Sequence, residues 1–133
     1  MKGITLGIDD YCHSTLDVIG NLQEGQRIRF PEDNELFVDI DTAEAFEDFE
    51  NRRFVLYRLL KAAGHTIDDI EVTPSKSGLP HRHIVLRLSG SVTMEQRIIF
   101  QLALGSDYVR EMMNYAAWLN GESNPSIFIE AER

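Results

Sequence analysis

The run "ELFVDI" at residues 35–40 and the segment "DTAEAFEDFENRRFVLYRLLKAAG" at 41–64 set the architecture of this chain. The first is a short apolar run, with the length and composition of a buried strand. The second changes period: Phe46, Phe49, Leu56, Leu60 and Ala63 follow helical spacing, and Gly64 supplies a stop. A strand therefore leads directly into a long helix. Downstream, "IEVTP" and "HIVLRL" read as a strand pair around the turn "SKSGLP", and "TMEQRIIFQLAL" reads as a helix in which Thr93 and Gln96 have capping-box spacing. "DYVREMMNYAAWLNG" gives a further helix closed by Gly121, with Met112, Met113, Tyr115 and Trp118 assigned to the core, and "PSIFIEA" a last strand.

From Glu35 the order is β-α-β-β-α-α-β, which predicts an α+β fold: an RRM-like split βαβ sheet with helices packed on one face. Residues 1–34 form an N-terminal extension to this 35–133 core. Within it "ITLGI" reads as a strand, "HSTLDVIGNL" as a short helix and "QRIRF" as a strand. No repeat or low-complexity tract divides the chain, so 133 residues make one domain, long enough to bury roughly two thirds of the surface exposed by the unfolded chain.

Composition narrows the setting. The single cysteine, Cys12, cannot form an internal disulfide, and no run of 18 or more apolar residues suggests a membrane span. No secretory signal is read, and a reducing, cytoplasmic compartment is the expectation. The net charge of −9, from 22 Asp and Glu against 13 Lys and Arg, argues against a broad basic face for nucleic acid. Carboxylates gathered around divalent metal would still present local positive charge to phosphates.

The split βαβ plan also forecasts which residues meet. Its first and third strands lie side by side and antiparallel, so Asp39 and Asp41 face His81 and His83. The helix after the third strand returns toward the same edge and brings "LGSD", with Asp107. Asp41 alone has a simpler reading as a helix N-cap, with Glu44 completing a capping box. Asp39, however, follows "LFV" in an apolar strand, and residues i and i+2 of a strand point to one side about 6 to 7 Å apart. Two such carboxylates at a strand end are suited to Mg²⁺ or Mn²⁺, which favour oxygen ligands.

In the turn, Ser75 and Ser77 offer hydroxyls, Lys76 an ammonium, and Gly78 lies among backbone N–H groups that can form an anion-binding nest, for which phosphate is the expected anion. An ordinary hairpin turn is the alternative. Asp107 is also readable as part of a helix cap and first turn. Arg110 either reaches phosphate or pairs with Asp107 across one helical turn.

"LFVDID" followed by "SKSGLPHRHIVLRL" resembles the first two motifs of the archaeo-eukaryotic primase superfamily, the primase-polymerases of plasmid, phage and host replication. The resemblance covers roughly residues 35–130. It implies that Asp39, Asp41 and Asp107 are catalytic ligands of Mg²⁺ or Mn²⁺, and that Ser77 with His81 or His83 holds a nucleotide triphosphate. A single-stranded DNA template and replication proteins are the further partners it implies, with no membrane. Two-metal nucleotidyl transfer would follow, with ions about 3.5 to 4 Å apart. Leu79 and Pro80 stand where the family's turn usually has a second glycine, and two histidines follow rather than one.

Rolling-circle nickases of the HUH type are the rival, because "HRH" followed by Tyr108 or Tyr115 loosely resembles their metal-binding histidines and attacking tyrosine. That reading leaves the "DID" pair and the "SKSG" turn without a role. A third alternative is a catalytically inactive phage or plasmid protein that binds a nucleotide or a partner.

Overall fold

The computed structural model describes residues 22–74, 80–123 and 125–131. In chain order these form β1 (Gln26–Arg29), β2 (Glu35–Ile40), α1 (Ala43–Ala62), β3 (Ile67–Pro74), β4 (Arg82–Leu88), α2 (Met94–Ala103), α3 (Tyr108–Leu119) and β5 (Phe128–Ala131). The fold is mixed α+β. Three strands make one antiparallel sheet in the order β2-β4-β3, and β1 pairs with β5 in a second sheet of two strands. "ITLGI", nearly all of "HSTLDVIGNL", and the turn residues Ser75, Lys76, Ser77 and Gly78 lie outside the described residues.

Alternation along β2 explains how the layers form. Leu36, Val38 and Ile40 project to one face, where they join Ile84, Leu86 and Leu88 of β4 against Phe49, Leu56 and Leu60 of α1 and Phe100 of α2. Phe37 and Asp39 project to the other face, where Phe37, Val85 and Phe128 form a smaller apolar cluster. β2 is thus buried on both faces, which is why it reads as a continuous apolar run. α1 connects β2 to β3, and β4 lies antiparallel between them. β5 pairs with β1 and does not extend the three-stranded sheet.

Helix ends follow local chemistry, with one correction. Thr93 and Gln96 form the expected capping box at α2. At α1 the N-cap is Thr42, whose hydroxyl accepts from the Ala45 N–H at 3.0 Å, and not Asp41. A capping oxygen must lie within reach of the second or third helical N–H, and Thr42, one residue later, occupies that place.

α3 also departs from expectation. Its buried positions are Glu111, Asn114, Ala116 and Ala117, whereas Met112 and Tyr115 are exposed. Its first turn reaches the open edge of β2, where Arg110 donates to the Phe37 carbonyl. Its inner side carries small and polar residues, with Asn114 donating to Glu111 there, while Met112 and Tyr115 turn outward.

Candidate metal centre

β2 ends at the candidate site. Asp39 lies opposite His83 in the β2–β4 register. Its backbone N–H donates to the Ser106 hydroxyl at 3.0 Å, and its carbonyl accepts from the Asp107 N–H at 2.9 Å. These two bonds dock the α2–α3 connection against the strand. They bring Asp107 to the residues at positions 39 and 41, although more than sixty residues separate it from them in sequence.

The result is a group of three carboxylates. Asp39, Asp41 and Asp107 each offer one oxygen, and these atoms all lie within 4.8 Å of one another. Oxygens around one hard divalent cation stand about 2.0 to 2.6 Å from it, so opposed ligands are about 4 to 5 Å apart. The donor set therefore fits a single ion in both chemistry and spacing. Neither His81 nor His83 joins this grouping.

Each carboxylate has a distinct setting. Asp41 is relieved of helix capping by Thr42, and its Oδ1 lies 3.3 Å from His81 Nδ1. Asp107 caps α3, its Oδ1 accepting from the Val109 N–H at 3.3 Å, a long bond that leaves most of its acceptor capacity unused. Asp39 is half-buried. Burial pushes its carboxyl up to about 6; Arg110 opposes that shift, and the charges of Asp41, Asp107 and Glu111 add to it. Gathering like charges in a half-buried place is costly unless a proton or a cation intervenes.

His83 is held rather than free to swing. Its ring stacks on Phe128 with centroids 3.8 Å apart and planes 4° from parallel, and Phe128 stacks in turn on Phe37 at 4.4 Å. Arg110 neither approaches Asp107 as a salt-bridge partner nor points away from the protein. It donates to the carbonyls of Phe37 and Ile127, pairs with Glu111, and lies over the Phe128 ring.

The three carboxylates line a cleft of about 350 Å³ together with Asp48, Arg52 and Tyr108. Arg52 is fixed there by Asp48, with Nε donating to Oδ2 at 2.7 Å. The Arg52 side chain passes over Gly105, whose positive φ of 88° forms the tight turn after α2.

The structure thus brings Asp39, Asp41, Asp107, His81 and His83 to one end of the sheet. It also reveals Ser106, Gln101 and Glu111 as supports that sequence reasoning missed. A glutamate one to two helical turns before the alanines of α3 was the available signal, but in a chain with 22 acidic residues it does not stand out. Compared with known proteins, the chain matches no family model, no curated protein and no solved structure.

Proposed function

We propose that Asp39, Asp41 and Asp107 bind Mg²⁺ or Mn²⁺, and that the protein uses this centre to hold a nucleotide triphosphate for nucleotidyl transfer of the primase-polymerase type. The observation that carries the reading is the convergence of three carboxylate oxygens, from two distant parts of the chain, within 4.8 Å. The passage from β2 through α1 to β3, with β4 between the two strands, supports an RRM-like arrangement for this part of the fold. A bound divalent ion would supply neutralising charge for phosphate oxygens and for charge developing in phosphoryl transfer.

The remaining work falls to the chain's own residues. Asp39 is fixed through both its backbone polar groups, so its carboxylate needs little reorganisation to receive a cation. His83, clamped by Phe128 with Nε2 3.7 Å from Asp39 Oδ1, presents a ring nitrogen beside the centre and is suited to orienting an anionic oxygen. The segment Ser75–Gly78, which precedes β4 in sequence, is the proposed cradle for the outer phosphates.

Mn²⁺ titration followed by electron paramagnetic resonance, with a primer-extension assay in parallel, tests the reading. The parent should bind Mn²⁺ and incorporate nucleotides, and Asp39→Asn and Asp41→Asn should lose both properties. Equal Mn²⁺ binding by parent and variants removes the metal centre. Metal binding without incorporation by the parent leaves a nucleotide- or partner-binding protein.

A further inference from the structure

We infer that Glu111 is the positioning residue of the carboxylate centre, acting through Ser106 and the open edge of β2; this rests on the metal reading given above. Among the described residues β2 is an edge strand, and the outward N–H and C=O groups of Phe37 and Asp39 have no neighbouring strand in the three-stranded sheet. Residues from α2, α3 and the connection between them take that strand's place. The Phe37 N–H donates to Gln101 Oε1 at 2.7 Å, and the Phe37 carbonyl accepts from Arg110 at 3.2 Å. The Asp39 N–H donates to Ser106 Oγ, and the Asp39 carbonyl accepts from the Asp107 N–H.

All three side chains in this substitute edge converge on one carboxylate. Glu111 is fully buried, and its Oε1 accepts from Gln101 Nε2 at 2.7 Å and Asn114 Nδ2 at 3.2 Å. Its Oε2 accepts from the Ser106 hydroxyl at 2.7 Å and from Arg110. Such a buried acceptor fixes the direction of each bond around it. Gln101 must turn its NH₂ toward Glu111, which leaves its oxygen for Phe37. Ser106 must give its proton to Glu111, which leaves a lone pair for the Asp39 N–H.

Two members of the centre are held by this device. Asp39 receives its backbone partner from Ser106, and Asp107, the next residue, is docked onto the Asp39 carbonyl. An amide at position 111 carries one acceptor oxygen and one donor group, so two of the four donors would meet a donor instead of an acceptor. The orientation of Ser106 or Gln101 would then be lost, and the distance between Asp39 and Asp107 with it.

The test measures Mn²⁺ affinity of the full chain by electron paramagnetic resonance well below the unfolding midpoint, alongside thermal unfolding of the same samples. Ser106→Ala and Glu111→Gln should each weaken Mn²⁺ binding by about 10- to 100-fold, the range for removing the partners that orient metal ligands. Arg97→Met serves as the comparison: Arg97 is buried and anchors α2 to the carbonyls of Glu32 and Glu35, away from the centre. It should lower the melting temperature yet keep the parent affinity. Parent-like affinity in folded Ser106→Ala or Glu111→Gln overturns the positioning role while leaving the metal centre intact. If Glu111→Gln does not fold, Ser106→Ala alone decides. A parent that binds no Mn²⁺ overturns the metal reading, and this inference with it.

Discussion

His83 Nε2 lies 3.7 Å from Asp39 Oδ1, across a register in which the two residues are direct partners on β2 and β4. The contact joins the acidic centre to an aromatic stack: the imidazole rests on Phe128, and Phe128 rests on Phe37. β5, at the far end of the described chain, therefore braces the residue beside the three carboxylates.

Removing that brace should be expensive. Phe128 is buried between two rings and beneath the Arg110 guanidinium, so Phe128→Ala should cost about 3 to 5 kcal/mol of stability. Urea unfolding of parent and variant measures it. A loss under about 1 kcal/mol would mean that the stack does not hold the second face of the sheet.

Asp39 should give a pH dependence of unusual sign. Its folded carboxyl is pushed up to about 6 from an ordinary 3.8, chiefly by burial, so the folded protein holds this proton more tightly than the unfolded chain. The associated stability is complete below the ordinary value and is lost as pH rises through about 6. In chelator, the advantage of Asp39→Asn over the parent should grow by roughly 3 kcal/mol between acid and neutral pH. A constant difference between the two proteins contradicts this.

Glu71 should behave in the opposite way. Hydrogen bonds from Arg29, assisted by Arg87, hold its carboxyl below the ordinary 4.5. Its contribution is present above that ordinary value and is lost as pH falls through the lowered one. Glu71→Gln should reduce stability at neutral pH and narrow the gap from the parent in acid, as followed by thermal unfolding across pH. High salt should shrink the neutral-pH effect, since the ion pairs are partly open to water.

The two residues at the start of α1 should separate cleanly. Thr42→Ala removes the capping hydroxyl and should cost about 1 kcal/mol, whereas Asp41→Asn in chelator should be within about 0.5 kcal/mol of the parent. Mn²⁺ should stabilise Thr42→Ala as it does the parent, and fail to stabilise Asp41→Asn. Denaturant midpoints with and without metal supply the measurement.

Much of this arrangement was legible because it depends on local periods. The apolar run of β2, the helical spacing of Phe49, Leu56 and Leu60, and the Thr93–Gln96 box are patterns over a few residues, and each appears as an element or a cap. Once β2 and β4 are taken as antiparallel neighbours, the meeting of Asp39 with His83 follows from alternation. In this sense the chain alone determined the three-stranded order and the end of the sheet where acids and histidines gather.

The tertiary structure decided what those residues rest on. Whether Asp41 or Thr42 caps α1 depends on a difference of one residue in chain direction, below what spacing can distinguish. The pairing of β5 with β1, the outward turn of Met112 and Tyr115, and the burial of Glu111 all follow from packing between segments far apart in sequence. An edge strand with unpaired N–H and C=O groups must find partners, but its own sequence does not say whether another strand or a set of side chains will supply them. Here Gln101, Ser106 and Arg110 supply them, and the buried carboxylate of Glu111 sets their orientation.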